Sequence, residues 1–598
     1  MVPEERASLA ALAEKLGGDR APSNEAAARR AIEYSIGHVF ERKSVVPERQ
    51  LLAVALKQSV GEATVDQVHR QADVSRLIVG ERNGRRMVTT RKVLDEECRV
   101  IAFARDGRGT CAPIAKRFDD FHRDWLNDAQ KHAVRHILES RDRVMIVRGA
   151  AGVGKTTLMQ EAVEAIEERG TKVFAFAPSA DASRVVLREA GFSEADTVAT
   201  LLLNEKLQQQ VAGQLIWIDE AGLMSAETTA SVFALAERFN ARVLLSGDHY
   251  QHRSIGRGDA LRMLETEAGL KPAEVKEIQR QAGMYKEAVK ALSEHRIADG
   301  YHKLDKLGWI KELPYAERYK QLASDYAAST TEGKTALVVC PTHVEGERVT
   351  VEVRRRLRES GKLGGEERIF IKLANAHLTQ AERGDRLAYS DGGVLIFHQN
   401  AKGHSRGDRI HVAPDKTLPL DQAARFQLFH RESIALAAGD LVRITQNGTT
   451  ADGRHRLTNG ALYNVKGFAA DGNIVLNNGW VVAKDFGHLA HGYVVTSHAS
   501  QGKTVDRVFV AQGRLSFAAS SREQFYVSSS RARERVTIYT EDKDELLDAV
   551  NRSDERLTAT ELIKGIPQRQ MAELREHEER AIDRQAPERE RQELIRER

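Results

Sequence analysis

The sequence is poor in cysteine, in long apolar runs and in charge of one sign. Three cysteines in 598 residues, Cys98, Cys111 and Cys340, form no CxxC pair; this excludes a disulfide framework and a thiolate zinc or iron–sulfur site. No apolar run approaches the roughly 20 residues a membrane helix needs. The start MVPEERASLAALAEK carries acids where a secretory leader would carry bases and an apolar core, so a cytoplasmic protein without membrane insertion is expected. Lys+Arg 90 against Asp+Glu 86 leaves a net charge of +4. Bulk charge of that size does not indicate nucleic-acid binding, and any such affinity must come from local patches. What is present, 41% hydrophobic and 29% charged residues, is the composition of a soluble globular protein. The length allows about four units of ~150 residues, and there is no repeat of solenoid period.

The pattern changes along the chain. Residues 1–120 read as a helical accessory domain, with periodic stretches in AAARRAIEYSIGHVFER and PERQLLAVALKQSVG and a hairpin around Asn83-Gly84. From 121 to 275 apolar strands alternate with helices: RVMIVRG, TKVFAFAP, QLIWIDEAG and ARVLLSGD. That is the signature of a buried parallel sheet and an α/β fold. A second set of such strands, TALVVCPT, RVFVAQ and RVTIYT, defines another α/β domain over 276–360 and 486–548. Between its parts, 361–485 is rich in glycine and in short alternating segments, as an all-β insertion would be. The charge-dense segment 549–598 reads as a solvated helix or disordered tail.

Gly-Lys-Thr occurs three times, at 154–156, 333–335 and 502–504. At the first, Gly149 stands five before Gly154 in GAAGVGKTT, after a strand and before a helix. Such a loop, with Gly149, Gly152 and Gly154 and then Lys155, Thr156 and Thr157, presents amides and a helix N-terminus to phosphates; Lys155 would neutralise β/γ oxygens and the Thr156 hydroxyl would ligate magnesium. The second site runs from loop into strand, so Gly333 is a turn glycine. The third has Ser497 where the loop glycine belongs and also leads into a strand. Asp219 and Glu220 end QLIWIDE, suited to the magnesium shell and to general-base duty respectively, and Asp248 and Gln251 end the next strand at the same edge. ATP and Mg2+ are the expected cofactors.

In their order these segments resemble superfamily 1 helicases over about 124–545. The resemblance implies two RecA-like parallel-sheet domains, an SH3-like β-barrel insertion and an N-terminal helical accessory domain. LNDAQ resembles the Q motif, making Gln130 an adenine reader. AFAPSADASRVV resembles motif Ia, which implies DNA contacts for Pro178 and Ser179; the resemblance also makes Thr197 and His249 candidate DNA contacts. EIQRQ and QFYVSSSRAR resemble motifs IV and VI, making Arg280 and Arg531 fingers on the γ-phosphate, with Gln251 of motif III as its sensor. HASQGKT resembles motif V of the 5′-to-3′ branch, superfamily 1B, RecD- and Dda-like; Thr496, His498 and Ser500 would then face the DNA backbone, with Gln501 and Gly502 near the nucleotide.

GDHYQHRSIGRGDAL, ANAHLTQAERGDRLAYSDGGVLIFHQ and LTNGALYNVKGF narrow the resemblance to the helicase half of MobF conjugative relaxases. No H-x-x-x-H-x-H cluster or amino-terminal tyrosine pair occurs, so the nicking domain is expected to be absent. Between Thr200 and Gln214 there is no room for a long wedge hairpin. The expected function is an ATP-driven 5′-to-3′ single-stranded DNA translocase and helicase in conjugation. Its expected partners are single-stranded DNA and single/double-strand junctions, together with a relaxase domain and a coupling protein. A RecD-like repair helicase and a non-catalytic DNA-binding or secretion platform are the alternatives.

Overall fold

A computed structural model describes residues 24–564. The chain divides into a larger unit, 96–377 with 386–555, and a smaller one whose described parts are 24–95, 378–385 and 556–564.

The larger unit holds two all-parallel sheets. The first has the order Asp196–Thr197, Val173–Ala177, Leu215–Ile218, Arg242–Gly247, Val144–Gly149 and Ala273–Val275. Its central strands are largely apolar because helices cover both faces: every residue of Leu215–Ile218 is buried. The second runs Ile310–Glu312, Ala532–Thr540, Val505–Ala511, Ala336–Val339, Val494–Val495. One cluster of buried side chains contains Met145 and Trp217 of the first sheet and Val508 and Ile538 of the second. Among neighbouring strands of the first sheet, the carboxyl ends deliver Gly149, Asp219 and Asp248 to one edge, the place where parallel sheets gather ligands.

The insertion is built of two antiparallel sheets. Glu367–Asn375, Phe426–Ala437, Val394–Phe397 and Arg409–His411 form one. Val481–Val482, Ile474–Leu476, Leu462–Phe468, Leu441–Ile444 and Leu489–His491 form the other. Phe370, Ile434 and Leu436 of the first share a core with Val442, Val465 and Leu476 of the second. Two short helices, Val198–Leu203 and Glu205–Gln210, fill the segment that was too short for a wedge hairpin.

Three expected boundaries move. Residues 96–120 belong with the larger unit, because Val100, Ile101 and Ala104 are buried in the core of the first sheet. Residues 378–385 leave the insertion for the smaller unit. There a capping box of Thr379 and Glu382 closes the helix Gln380–Arg383, the Gln380 amide donates to Glu41 at 2.6 Å, and Gln58 donates to Asp385 at 2.9 Å. The segment from 549 is not solvated throughout, since the helix Ala559–Lys564 buries Ala559 and Leu562 against Ile78 and Val88. Residues 565–598 lie outside the described residues.

Candidate active site

The loop between the strand Val144–Gly149 and the helix Lys155–Glu167 has left-handed backbone at Gly152 (φ 78) and Gly154 (φ 77), which only glycine adopts without strain. Its glycines also leave no space for side chains: a Cβ would stand 2.8 Å from Lys155 Cγ at Gly149, 2.6 Å from Arg280 Cβ at Gly152 and 2.8 Å from Gln130 Nε2 at Gly154. Lys155 Nζ folds back to donate to Gly149 O at 2.7 Å. Thr156 and Thr157 follow in the first helical turn, both half-buried. Gln130 braces the loop. Its amide nitrogen donates to Val153 O at 3.0 Å, and its oxygen accepts from the Asn127 amide at 3.1 Å in a capping box.

Across the same edge, Ser246 Oγ donates to Asp219 Oδ1 at 2.7 Å, and Trp217 Nε1 holds that serine from behind at 2.8 Å. Burial, and then the carboxylate of Glu220 beside it, push Asp219 up to about 6. Glu220 sits at φ 53, a left-handed conformation costly for a non-glycine residue, and its Oε2 accepts from Gln501 Nε2 at 2.7 Å. Gln501 of HASQGKT therefore reaches the carboxylate pair directly. Gln251 donates to Asp248 at 3.3 Å; its own buried Oε1 and that of Gln501 accept no hydrogen bond among the described residues.

Two arginines face this edge. Arg280 Nη1 donates to Ser530 O at 2.7 Å. Arg531, 2% exposed, donates to Val527 O at 2.9 Å and Ser530 Oγ at 2.8 Å. Burial first, and then the other arginine, lowers Arg280 to about 9; burial lowers Arg531 as well. Neither makes an ion pair among the described residues.

Sequence reasoning missed Tyr526, which is buried in QFYVSSSRAR and joins the two halves of the cleft. Its hydroxyl accepts from the Ala151 amide of the P-loop at 2.8 Å and donates to Asp248 at 3.2 Å. His252 was singled out only as part of a longer match; its Nε2 meets Ser497 Oγ at 2.7 Å and its ring stacks on His498 at 3.7 Å. Lys503, dismissed as a phosphate ligand, instead pairs with Asp181 at 2.6 Å. A Cβ at Gly460, in the insertion, would lie 3.2 Å from the same aspartate.

The expected DNA contacts divide. Ser179 and His498 are exposed; Pro178, Thr197 and Thr496 are half-buried, and both threonines cap short helices. His249 is held by Glu265 at 3.1 Å. Ser500 corrects the expectation of a backbone-facing hydroxyl: it is fully buried and donates to Ser497 O at 2.7 Å, because it closes the turn that Thr496 caps. Gly502 turns the chain at φ 82 into the next strand.

Residues 125–314 match the AAA domain family and 491–539 the UvrD-like helicase C-terminal domain. The multifunctional conjugation protein TraI of Escherichia coli K12 is 24% identical over 577 residues, covering 84% of this chain and 32% of its own. The conjugal transfer protein TraA of Rhizobium radiobacter is 26% identical over 446 residues, covering 73% and 34%. The chain thus spans about a third of the length of these curated relatives. Among solved structures, Pif1 helicase from Candida albicans aligns at 15% identity and TM-score 0.43 over 71% of this chain and 96% of that one. Bacteroides Pif1 bound to single-stranded DNA aligns at 16% and 0.41 over 71% and 94%. The chain is thus similar in two segments to the AAA domain and the UvrD-like helicase C-terminal domain and, over most of its length, to proteins of conjugative transfer.

Proposed function

We propose that the chain is an ATP-driven translocase on single-stranded DNA that moves 5′ to 3′, unwinds duplexes and serves conjugative DNA transfer. The observation that carries this is a pair of guanidiniums, Arg531 buried and Arg280 half-buried, neither in an ion pair among the described residues, beside a glycine loop whose shape leaves room only for backbone amides. Two neighbouring cations drawn out of water with no carboxylate partner among the described residues are costly unless a polyanion completes the site. The side-chain oxygens of Gln251 and Gln501, without a donor among the described residues, suit a bound water that donates to them. A non-catalytic platform has no use for such charges.

The residues fit ATP with magnesium. The P-loop amides and Lys155 would bind the β/γ oxygens, and Thr156 and Asp219 would hold the ion, which when bound neutralises phosphate charge. Glu220, fixed by Gln501, would take the proton of the attacking water, while Gln251 orients that water. Arg280 and Arg531 would offset charge on the transferring group, an effect worth roughly 10³–10⁵-fold. Gln501 also lies in the segment with Thr496 and His498, so hydrolysis at Glu220 would be felt on the DNA track through one short helix. The direction of travel follows from the match of that segment to the 5′-to-3′ branch. The role in transfer is supported by the conjugation relatives; a relaxase domain and a coupling protein are the partners proposed with it.

Lys155→Ala is expected to abolish ATP hydrolysis stimulated by single-stranded DNA, and the unaltered chain is expected to unwind partial duplexes with 5′ tails. Retained turnover would overturn the nucleotide assignment. Unwinding of 3′-tailed substrates alone would overturn the polarity.

A further inference from the structure

The smaller unit contains none of the nucleotide-site residues, yet it presents an organised cationic surface. Its order is helix Glu25–Phe40, strand Val46–Pro47, helices Glu48–Gln58 and Val65–Val74, then the hairpin Ile78–Arg82 with Arg85–Thr89. The three strands form an antiparallel sheet in which Arg85–Thr89 lies between the other two. This is the topology of a winged helix: the second and third helices make a helix-turn-helix, and the hairpin is the wing. Topology alone assigns no function, so the surface must decide.

The third helix is a poor match for phosphate. Its exposed residues include Val65, Asp66, His69 and Asp73, and Arg70 is tied to Glu25 at 2.8 Å. The wing is different. Residues 76–92 hold six basic side chains, one acid and no aromatic. Arg82 and Arg85 are cross-strand partners flanking the tip, both exposed and, among the described residues, neither in an ion pair. Arg76 and Lys92 near the base are likewise exposed and, among the described residues, in no ion pair, whereas Arg86 is spent on Glu48 at 2.6 Å. The tip is narrow, because Asn83 (φ 52) and Gly84 (φ 69) make a two-residue left-handed turn. It is also anchored: a Cβ at Gly80 would fall 2.6 Å from Leu562, whose helix crosses the hairpin.

We propose that this wing grips the backbone of double-stranded DNA through Arg82 and Arg85, with Arg76 and Lys92 adding to the field. A duplex presents one charge per about 1.7 Å of axis, which suits a narrow tip with paired guanidiniums. Sequence-tolerant single-strand binding relies on aromatic platforms that the wing lacks. A protein interface would need apolar anchors, and residues 81–86 carry none.

The test uses the full chain without nucleotide, a short labelled blunt duplex and labelled oligo(dT), read by fluorescence anisotropy across a salt series. R82E/R85E is expected to weaken duplex binding about 10-fold or more and to lower the salt slope by about 2. Oligo(dT) affinity and DNA-stimulated ATP turnover should stay within about 2-fold of the unaltered chain. His69→Glu, on the helix face, should leave duplex affinity unchanged. The proposal is overturned if the unaltered chain does not bind the blunt duplex, if R82E/R85E weakens both DNAs equally or neither, or if His69→Glu acts as strongly. Because Lys155→Ala leaves the wing intact, loss of the ATP reading and loss of this one are distinguishable.

Discussion

Arg531 donates to two oxygens and, among the described residues, meets no carboxylate at ion-pair distance, so it is hydrogen-bonded without being neutralised. Arg280 beside it is lowered to about 9, first by burial and then by Arg531. In the nucleotide-free protein the pair is therefore a net cost, of the kind sites keep for function. Arg531→Met keeps the length and burial and removes one charge. Its melting temperature without nucleotide should hold or rise, while ATP turnover falls about 10³-fold or more. Calorimetry beside steady-state kinetics checks this, and a drop of several degrees would mean that the two hydrogen bonds outweigh the charge. Lys155, Asp219 and Glu220 could be picked out in the sequence because loop spacing and strand ends fix where such residues must lie. Tyr526 could not: its hydroxyl meets an amide 375 residues away, and a tyrosine in an apolar helix reads as core. Ser500 misled for the opposite reason, since a hydroxyl in a DNA-facing segment gives no sign of pointing inward.

At the level of elements, the strand, loop and helix of the P-loop and the hairpin at Asn83-Gly84 were legible because local chemistry dictates them: positive φ needs glycine or asparagine, and buried parallel strands need continuous apolar runs. The insertion was legible as β structure but not in its pairing, which depends on a core to which both sheets contribute, Phe370 from one and Val442 from the other. One of its side chains makes it acid-sensitive. His488, 4% exposed, lies against the rings of Phe429 and Phe486, and burial, with Arg409 adding to it, pushes it down to about 4. Between pH 6.5, where the free imidazole titrates, and about 4, the unfolded chain takes up a proton that the folded one refuses. Stability from this group is thus complete above 6.5 and is lost as the pH falls, by up to about 3 kcal/mol. His488→Phe keeps an aromatic ring there without the titration. The gap in melting temperature between about pH 7.5 and pH 5 should shrink in the variant; an unchanged gap would place the acid sensitivity elsewhere.

On the scale of the whole molecule, the smaller unit is assembled from three stretches far apart in the chain, 24–95, 378–385 and 556–564. Nothing local announces this: residues 378–385 sit inside a β-rich region, and 556–564 precede a highly charged end. Their apolar residues are few, and the partners that bury them are hundreds of positions away. Leu562 is the test of that assembly. It is 3% exposed, packs in one core with Ile32, Val46, Ile78 and Val88, and presses on Gly80 at the base of the hairpin. Leu562→Ala removes buried carbon from a small core, which typically costs 2–5 kcal/mol. If the segment is part of the unit's fold, amide exchange in the helix Glu25–Phe40 and in the hairpin should speed up markedly. The strand Val144–Gly149, in the core of the larger unit, should exchange at its original rate, and ATP turnover should persist. Exchange unchanged in the hairpin would mean that the helix Ala559–Lys564 only rests on the surface, whereas acceleration in both units would mean that their stabilities are one.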